Sequence, residues 1–265
     1  MSVDRFTGGL PAGAPSPGTS FTDLLRSLDL VPVWNGAGAG GTVPAPEGTT
    51  VLALRYSDGV VMVGDRQATE GHQVAHRRIQ KVFQADGYSA VAISGTAGLA
   101  IEMVRLFQTE LEHYEKLEGA RLSLEGKATY LARMVRNQLP MVFQGLVVVP
   151  LFAGFDEAAG EGRLYTFDVV GGRYEEHDFG ATGSGGRDAK SYLRSAYAEG
   201  LDEDRALDVA LGALIAAAEE DTATGGPDVQ RGIYPNVVTV TAAGFHEVPD
   251  ERVAAIAATA MEATR

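Results

Sequence analysis

Residues 49–65 read TTVLALRYSDGVVMVGD. Aliphatic and β-branched residues fill both halves of this stretch. Asp58-Gly59 lies between them, a pair that tolerates the tight backbone of a hairpin turn, so two antiparallel strands are predicted. Residues 81–95, KVFQADGYSAVAISG, repeat the device around Asp86-Gly87. Four strands before any helix set the order of the fold.

Beyond them the period changes from two to about 3.6. Met103, Leu106, Phe107, Leu111 and Tyr114 recur at helical spacing over 98–118, and Tyr130, Leu131, Met134, Val135 and Leu139 do so over 123–143. Pro140 should kink or end the second helix, because it lacks an N–H and clashes with the preceding turn. Strands return as LVVVPLFAGF and RLYTFDVVG, joined by DEAAGEG, with YEEHDF as a further short strand. Two helices follow at about 186–199 and 203–220, then a last strand in VVTVTAAGF and an Ala-rich helix starting from Pro249 at its N1 position. Strand pairs and helix pairs in alternating blocks do not suit a doubly wound parallel sheet. They predict an α+β chain: two mainly antiparallel sheets face to face with helices outside, a four-layer αββα sandwich.

Upstream of Thr49 the composition is different. GGLPAGAPSPGTS and NGAGAGGTVPAPEG are Gly/Pro/Ala stretches with too little apolar surface to offset ordering, so residues 1–48 read as a flexible leader. Within it Phe21, Leu24, Leu25 and Leu28 share one helical face behind Thr22 as a possible N-cap, predicting a short helix over about 21–31.

The 265 residues are 45% hydrophobic and 22% charged, as in ordinary globular proteins, and carry a net charge of −13. Such an acidic balance argues against nucleic acid and anionic membranes as partners. No signal-peptide pattern and no apolar run of about 18 residues occurs, and there is no cysteine, which together fit a cytoplasmic protein.

Lack of cysteine also removes a thiolate nucleophile and cysteine zinc sites. The five histidines, His72, His76, His113, His177 and His246, lack metal-ligand spacing, so no metal or cofactor is expected. A Ser-His-Asp triad stays formally open, although no G-x-S-x-G elbow is present. An N-terminal threonine supplies its own base instead, since its free α-amine, with a reference pKa of about 8, can accept the hydroxyl proton. Such an end would lie at the compositional boundary, Gly48-Thr49, where glycine leaves room for the hydroxyl to attack the preceding carbonyl. Read alone, Thr49-Thr50 is first of all the start of a strand, as β-branched residues are.

The surrounding pieces, in order, are T-T-V-L-A-L, V-V-M-V-G-D-R-Q-A-T-E-G, K-V-F, S-G-T-A-G, G-S-G and D-T-A-T-G-G. This ordered set, over residues 49 to about 245, resembles the core (20S) proteasome β-subunit family, most closely its actinobacterial type, whose members are N-terminal-nucleophile threonine proteases. The resemblance implies that residues 1–48 are a propeptide cut at Gly48-Thr49 and that 49–265 form the catalytic domain. It makes Thr49 the nucleophile, with Asp65 and Lys81 as its acid and lysine partners. An ammonium beside the amine would lower the amine's pKa, and the carboxylate would hold that ammonium. A plain Asp–Lys ion pair is the alternative.

By the same resemblance Ser184, Asp221 and Thr224 form the hydrogen-bonding set around the amine and a nucleophilic water. Position 224 departs from the serine usual in the family but keeps a hydroxyl. The Gly95 backbone N–H would stabilise the oxyanion. Thr69 and Ala97 would pair with the substrate backbone, and Ala68, Ile79, Ile93 and Ala97 would line an apolar pocket, implying chymotrypsin-like preference. Implied partners are α-subunits, other β-subunits in stacked seven-membered rings, a ring-shaped ATPase unfoldase, and unfolded protein substrates tagged with a small protein modifier. An HslV-type peptidase subunit and a non-catalytic ring scaffold are the competing readings.

Overall fold

A computed structural model describes residues 48–70 and 73–263. The leader helix over about 21–31, Trp34 and His72 lie outside the described residues. The 49–65 stretch forms β1 (Thr50–Tyr56) and β2 (Gly59–Gly64), paired with Tyr56 opposite Gly59. The two-residue loop is therefore Ser57-Asp58, one position earlier than Asp58-Gly59. Likewise β5 (Val82–Asp86) and β6 (Ser89–Gly95) meet with Asp86 opposite Ser89 around Gly87-Tyr88. Between these hairpins lies a small one that the sequence reading did not include, β3 (Ala68–Glu70) with β4 (Gln73–His76), so among the described residues six strands precede the first helix.

Helix α1 spans Ala97–Glu118 and is closed by Gly119, whose N–H donates to the Glu115 carbonyl. Helix α2 (Leu124–Asn137) begins at Ser123, whose hydroxyl accepts the Gly126 N–H at 3.1 Å. It ends three residues before Pro140, and a single turn, α3 (Leu139–Val142), follows with the proline in its first turn. Strands β7 (Val148–Asp156), β8 (Glu161–Phe167) and β9 (Arg173–Glu176) come next. YEEHDF is not one strand. It feeds β9 and then β10 (Phe179–Gly183), which belong to different sheets, so His177-Asp178 is where the chain crosses over.

Helices α4 (Gly186–Ala196) and α5 (Glu203–Glu220) lead to β11 (Asn236–Thr241). The expected last strand is a hairpin, because Gly244 with φ of +102° turns the chain back into β12 (Gly244–Glu247). Helix α6 (Asp250–Ala263) starts one residue after Pro249, whose carbonyl accepts the Arg252 and Val253 N–H groups.

The first sheet has the order β10-β1-β2-β11-β12 and the second β5-β6-β7-β8-β9, with every neighbouring pair antiparallel. Alternation within each strand divides the core into three. Val51, Ala53, Val60 and Met62 face Ala90, Ala92, Leu151 and Leu164 between the sheets. Leu52, Leu54, Val61 and Val63 pack outward on Leu193 of α4, Leu211 and Leu214 of α5 and Val253 of α6. On the other side Val91, Ile93 and Phe152 pack on Met103 and Phe107 of α1 and Leu131 and Val135 of α2. Both faces of both sheets are covered, which is why these strands read as nearly continuous apolar runs. The predicted four-layer αββα sandwich is the observed fold.

Candidate active site

Thr49 stands immediately before β1, at the end of the first sheet where β10 also finishes. Its carbonyl accepts the Ser184 N–H at 2.8 Å, which anchors it beyond the end of the β1–β10 ladder. It is buried and still bonded to Gly48, so its nitrogen is an amide. Asp65 directly follows β2 of the first sheet, and Lys81 directly precedes β5 of the second. Their ion pair, Nζ to Oδ1 at 2.6 Å with the two side chains 4% and 0% exposed, therefore joins the two sheets.

Charges so far from water need full hydrogen bonding. Asp65 has it: Oδ1 accepts the Thr50 N–H at 2.8 Å, and Oδ2 accepts the N–H groups of Gln67 at 2.9 Å and Gly225 at 3.0 Å. Lys81 Nζ also donates to the Gln67 carbonyl and, at 3.4 Å, to the carbonyl of Gly48. The ammonium thus lies against the very carbonyl that joins the leader to Thr49.

Ser184, Asp221 and Thr224 come together next to the Asp65–Lys81 pair, with the Ser184 N–H on the Thr49 carbonyl. Ser184 Oγ donates to Asp221 Oδ2 at 2.5 Å, Thr224 Oγ1 donates to the same oxygen at 2.6 Å, and the Ala223 N–H donates to Oδ1 at 3.1 Å. Partial burial works against the Asp221 carboxylate. The donated hydrogen bonds from Ser184, Thr224 and Ala223 and the nearby Lys81 charge outweigh it, holding its pKa below the usual aspartate range.

Gly95 ends β6 with φ of +106°, a conformation suited to glycine, and a Cβ there would fall 2.0 Å from the Val147 carbonyl oxygen. Beside Thr49 a small pocket is lined by Ala68, Ile79, Lys81, Ile93, Gly95 and Ala97, which unites the four residues expected to form it. Ala100 and Ile101, on the next turn of α1, complete the wall. They went unread because helical spacing alone marks them as core. Thr69 does not line this pocket; its Oγ1 accepts the Gly48 N–H at 3.0 Å.

Three further participants lie within the quoted motifs but had no role assigned to them there. Gln67 ties the Asp65–Lys81 pair to the 221–226 loop through its Nε2, which donates to the Thr222 carbonyl at 3.0 Å. The Thr50 hydroxyl pairs with Thr224 Oγ1 at 2.6 Å, and Gly185 donates its N–H to it at 2.9 Å. The alternating pattern of β1 assigns Thr50 to a face but does not name its partners. His76, His113, His177 and His246 have no part in the cluster. Among the described residues no group of three or more His, Cys, Asp or Glu side chains is placed to hold a metal ion.

Two antiparallel sheets between helix layers, with a threonine leading the first strand, define the N-terminal-nucleophile hydrolase fold. A family model described as "Proteasome subunit" matches residues 45–229. Curated relatives bearing the name "Proteasome subunit beta" align over nearly the whole chain. The relative from Acidimicrobium ferrooxidans is 52% identical over 251 residues, covering 94% of this chain and 91% of its own. That from Streptomyces griseus is 50% identical over 262 residues, with 97% and 93% covered, and that from Acidothermus cellulolyticus is 51% identical over 257, with 94% and 89% covered. The chain belongs to the proteasome subunit family and is a β-type subunit of it. Membership implies assembly with other subunits into a proteasome core.

Proposed function

We propose that the chain is the self-processing precursor of a catalytic subunit, a threonine endopeptidase, with residues 1–48 as the propeptide and 49–265 as the mature domain. The observation that carries this reading is the buried Lys81–Asp65 pair with Lys81 Nζ 3.4 Å from the Gly48 carbonyl. A lysine kept at this junction suits chemistry at Thr49, and a scaffold would have no use for it.

In the first step the Thr49 hydroxyl oxygen attacks the Gly48 carbonyl carbon, its proton going on to the Thr49 nitrogen, and the Lys81 ammonium steadies the negative charge arising on the Gly48 carbonyl oxygen. The Gly48–Thr49 C–N bond breaks as the nitrogen takes up a proton, leaving an ester. Water hydrolyses the ester, releasing the Gly48 carboxylate and restoring the Thr49 hydroxyl beside the amine that the C–N cleavage freed. That amine then serves as base: it takes the hydroxyl proton as Oγ1 attacks a substrate carbonyl, with the Gly95 N–H supporting the oxyanion. The proton passes to the leaving amine, and water resolves the acyl-enzyme. Nearby Lys81 discourages protonation of the amine, and Ser184, Asp221 and Thr224 orient it and the water. In the precursor Thr69 already holds the Gly48 N–H, as it would hold a substrate backbone.

The apolar lining by Ala68, Ile79, Ile93, Ala97, Ala100 and Ile101 supports cleavage after bulky uncharged residues. Fluorogenic peptides ending in Leu or Tyr should be cut faster than those ending in Arg or Asp; the reverse order refutes this preference. Work in the cytoplasm, within seven-membered β-rings capped by α-subunits and fed tagged proteins by an ATPase, completes the proposal. Among the described residues no helix is long and apolar enough to cross a membrane.

Trp34 is the only tryptophan, so processing is easily followed. Intact mass after co-assembly with α-subunits should show loss of residues 1–48, and Thr49→Ala should keep both the leader and its indole fluorescence. Normal processing of Thr49→Ala would overturn self-cleavage.

A further inference from the structure

Hydroxyl protons can be counted around Asp221. Thr224 Oγ1 donates its single proton to Asp221 Oδ2 at 2.6 Å. Thr224 therefore has none left for Thr50, and the 2.6 Å contact between the two hydroxyls must carry the proton of Thr50. Thr50 Oγ1 in turn accepts the Gly185 N–H at 2.9 Å. The result is a one-way chain: Gly185 N–H to Thr50, Thr50 to Thr224, Thr224 to Asp221. Thr50 and Thr224 are 0% and 4% exposed, so water does not readily replace a missing link. Space is reserved for this chain, since a Cβ on Gly185 would lie 2.7 Å from both threonine hydroxyl oxygens.

We propose that Thr50 is a positioning residue of the site: its hydroxyl, by donating to Thr224 Oγ1, fixes the direction of the Thr224 hydroxyl. Thr224 is then left with one free lone pair for the amine that processing creates on the adjacent Thr49. The inference rests on the reading of Thr49 as an N-terminal nucleophile. It gives the second threonine of the Thr-Thr pair a task separate from that of the first. The Thr50 backbone N–H, bonded to Asp65, is unaffected by side-chain substitution.

The test uses the assembled particle carrying Thr50→Val, which keeps the branched shape and removes the hydroxyl, with Thr50→Ser as the conservative rescue. Thr50→Val should lower kcat about tenfold, the worth of one buried hydrogen bond, with KM within about twofold. The acid limb of its pH–rate profile should move to higher pH, because Asp221 loses part of its hydrogen-bonded support. Thr50→Ser should restore both. In a Thr224→Val background, Thr50→Val should add less than about a twofold further loss, since its effect passes through Thr224. If Thr50→Val does not assemble, Thr50→Ala carries the same comparison. A folded Thr50→Val that fails to process while Thr50→Ser processes counts as the same loss. Wild-type kcat and pH profile in Thr50→Val, no rescue by serine, or full multiplicative losses in the double variant overturn the proposal. Thr49→Ala separates the two levels: if it leaves peptide hydrolysis intact, the nucleophile reading itself has failed.

Discussion

A Cβ built on Gly48 would lie 2.1 Å from the Cβ of Ala223 and 3.0 Å from its Cα, so the residue before Thr49 has no room for a side chain in this conformation. Gly48→Ala should therefore displace the scissile carbonyl from Lys81 and slow processing by about tenfold or more, as misplacement of reacting groups does. Ala223→Gly in the same chain should recover much of the rate. Time courses of intact mass for the two variants check this. At the neighbouring ion pair, Lys81→Met leaves Asp65 as a buried carboxylate without its cation. A loss of stability of about 3–5 kcal/mol is expected from breaking such a pair, towards the lower end because three backbone N–H groups still serve Asp65. Thermal unfolding measures it. Asp221 has a lowered pKa in the folded chain, so its ionised form adds stability above the ordinary aspartate value of about 3.9, and this is lost as pH falls through the depressed folded value. The melting difference between wild type and Asp221→Asn should shrink as pH drops below about 4, whereas a constant difference would contradict the shift.

Among the elements, the outer helices do unequal work. Phe107 of α1 is fully buried and meets Phe152 of β7 edge-on, with ring centroids 5.8 Å apart, and Phe152 lies against Tyr165 of β8. Phe107→Ala should destabilise the chain by about 3–5 kcal/mol through lost burial and a residual cavity, read from denaturant unfolding. Helix α1 also supplies Ala97, Ala100 and Ile101 to the pocket. Loosening its packing should therefore raise KM for large apolar substrates as well as lower stability. Helix α5 contributes differently. Asp202 caps its start by accepting the Arg205 N–H at 2.9 Å, and its far end delivers Asp221 to the site.

At the scale of the whole molecule, assembly should draw on surface the sandwich leaves open. Leu106, Tyr114 and Leu117 of α1 are 51%, 40% and 71% exposed, and their spacing keeps them along one stripe of the helix. Leu106→Glu with Leu117→Glu should leave the unfolding midpoint of the isolated chain nearly unchanged. In sedimentation velocity the same substitutions should reduce incorporation into particles with the other subunits.

Much of this was legible before any coordinates. Apolar β-branched runs and turn residues mark β1, β2, β5 and β6, helical spacing marks α1, α2 and α5, and the block order yields the αββα layers, because all of these are local consequences of side-chain size and backbone freedom. The ordered motifs also picked out Thr49, Asp65, Lys81, Ser184, Asp221 and Thr224. What local pattern does not contain is partnership across the fold. His177-Asp178 became a crossing between sheets instead of the middle of one strand because β9 and β10 satisfy their hydrogen bonds against different neighbours. The Asp65–Lys81 pair proved to join two sheets, and Thr50 found Thr224, 174 positions away, only when α5 packed its end against β1. Composition and period determined the layers and named the candidate chemistry. Packing alone decided which buried donor meets which buried acceptor, since each one left unpaired costs about 1–3 kcal/mol, a large fraction of a fold's marginal stability.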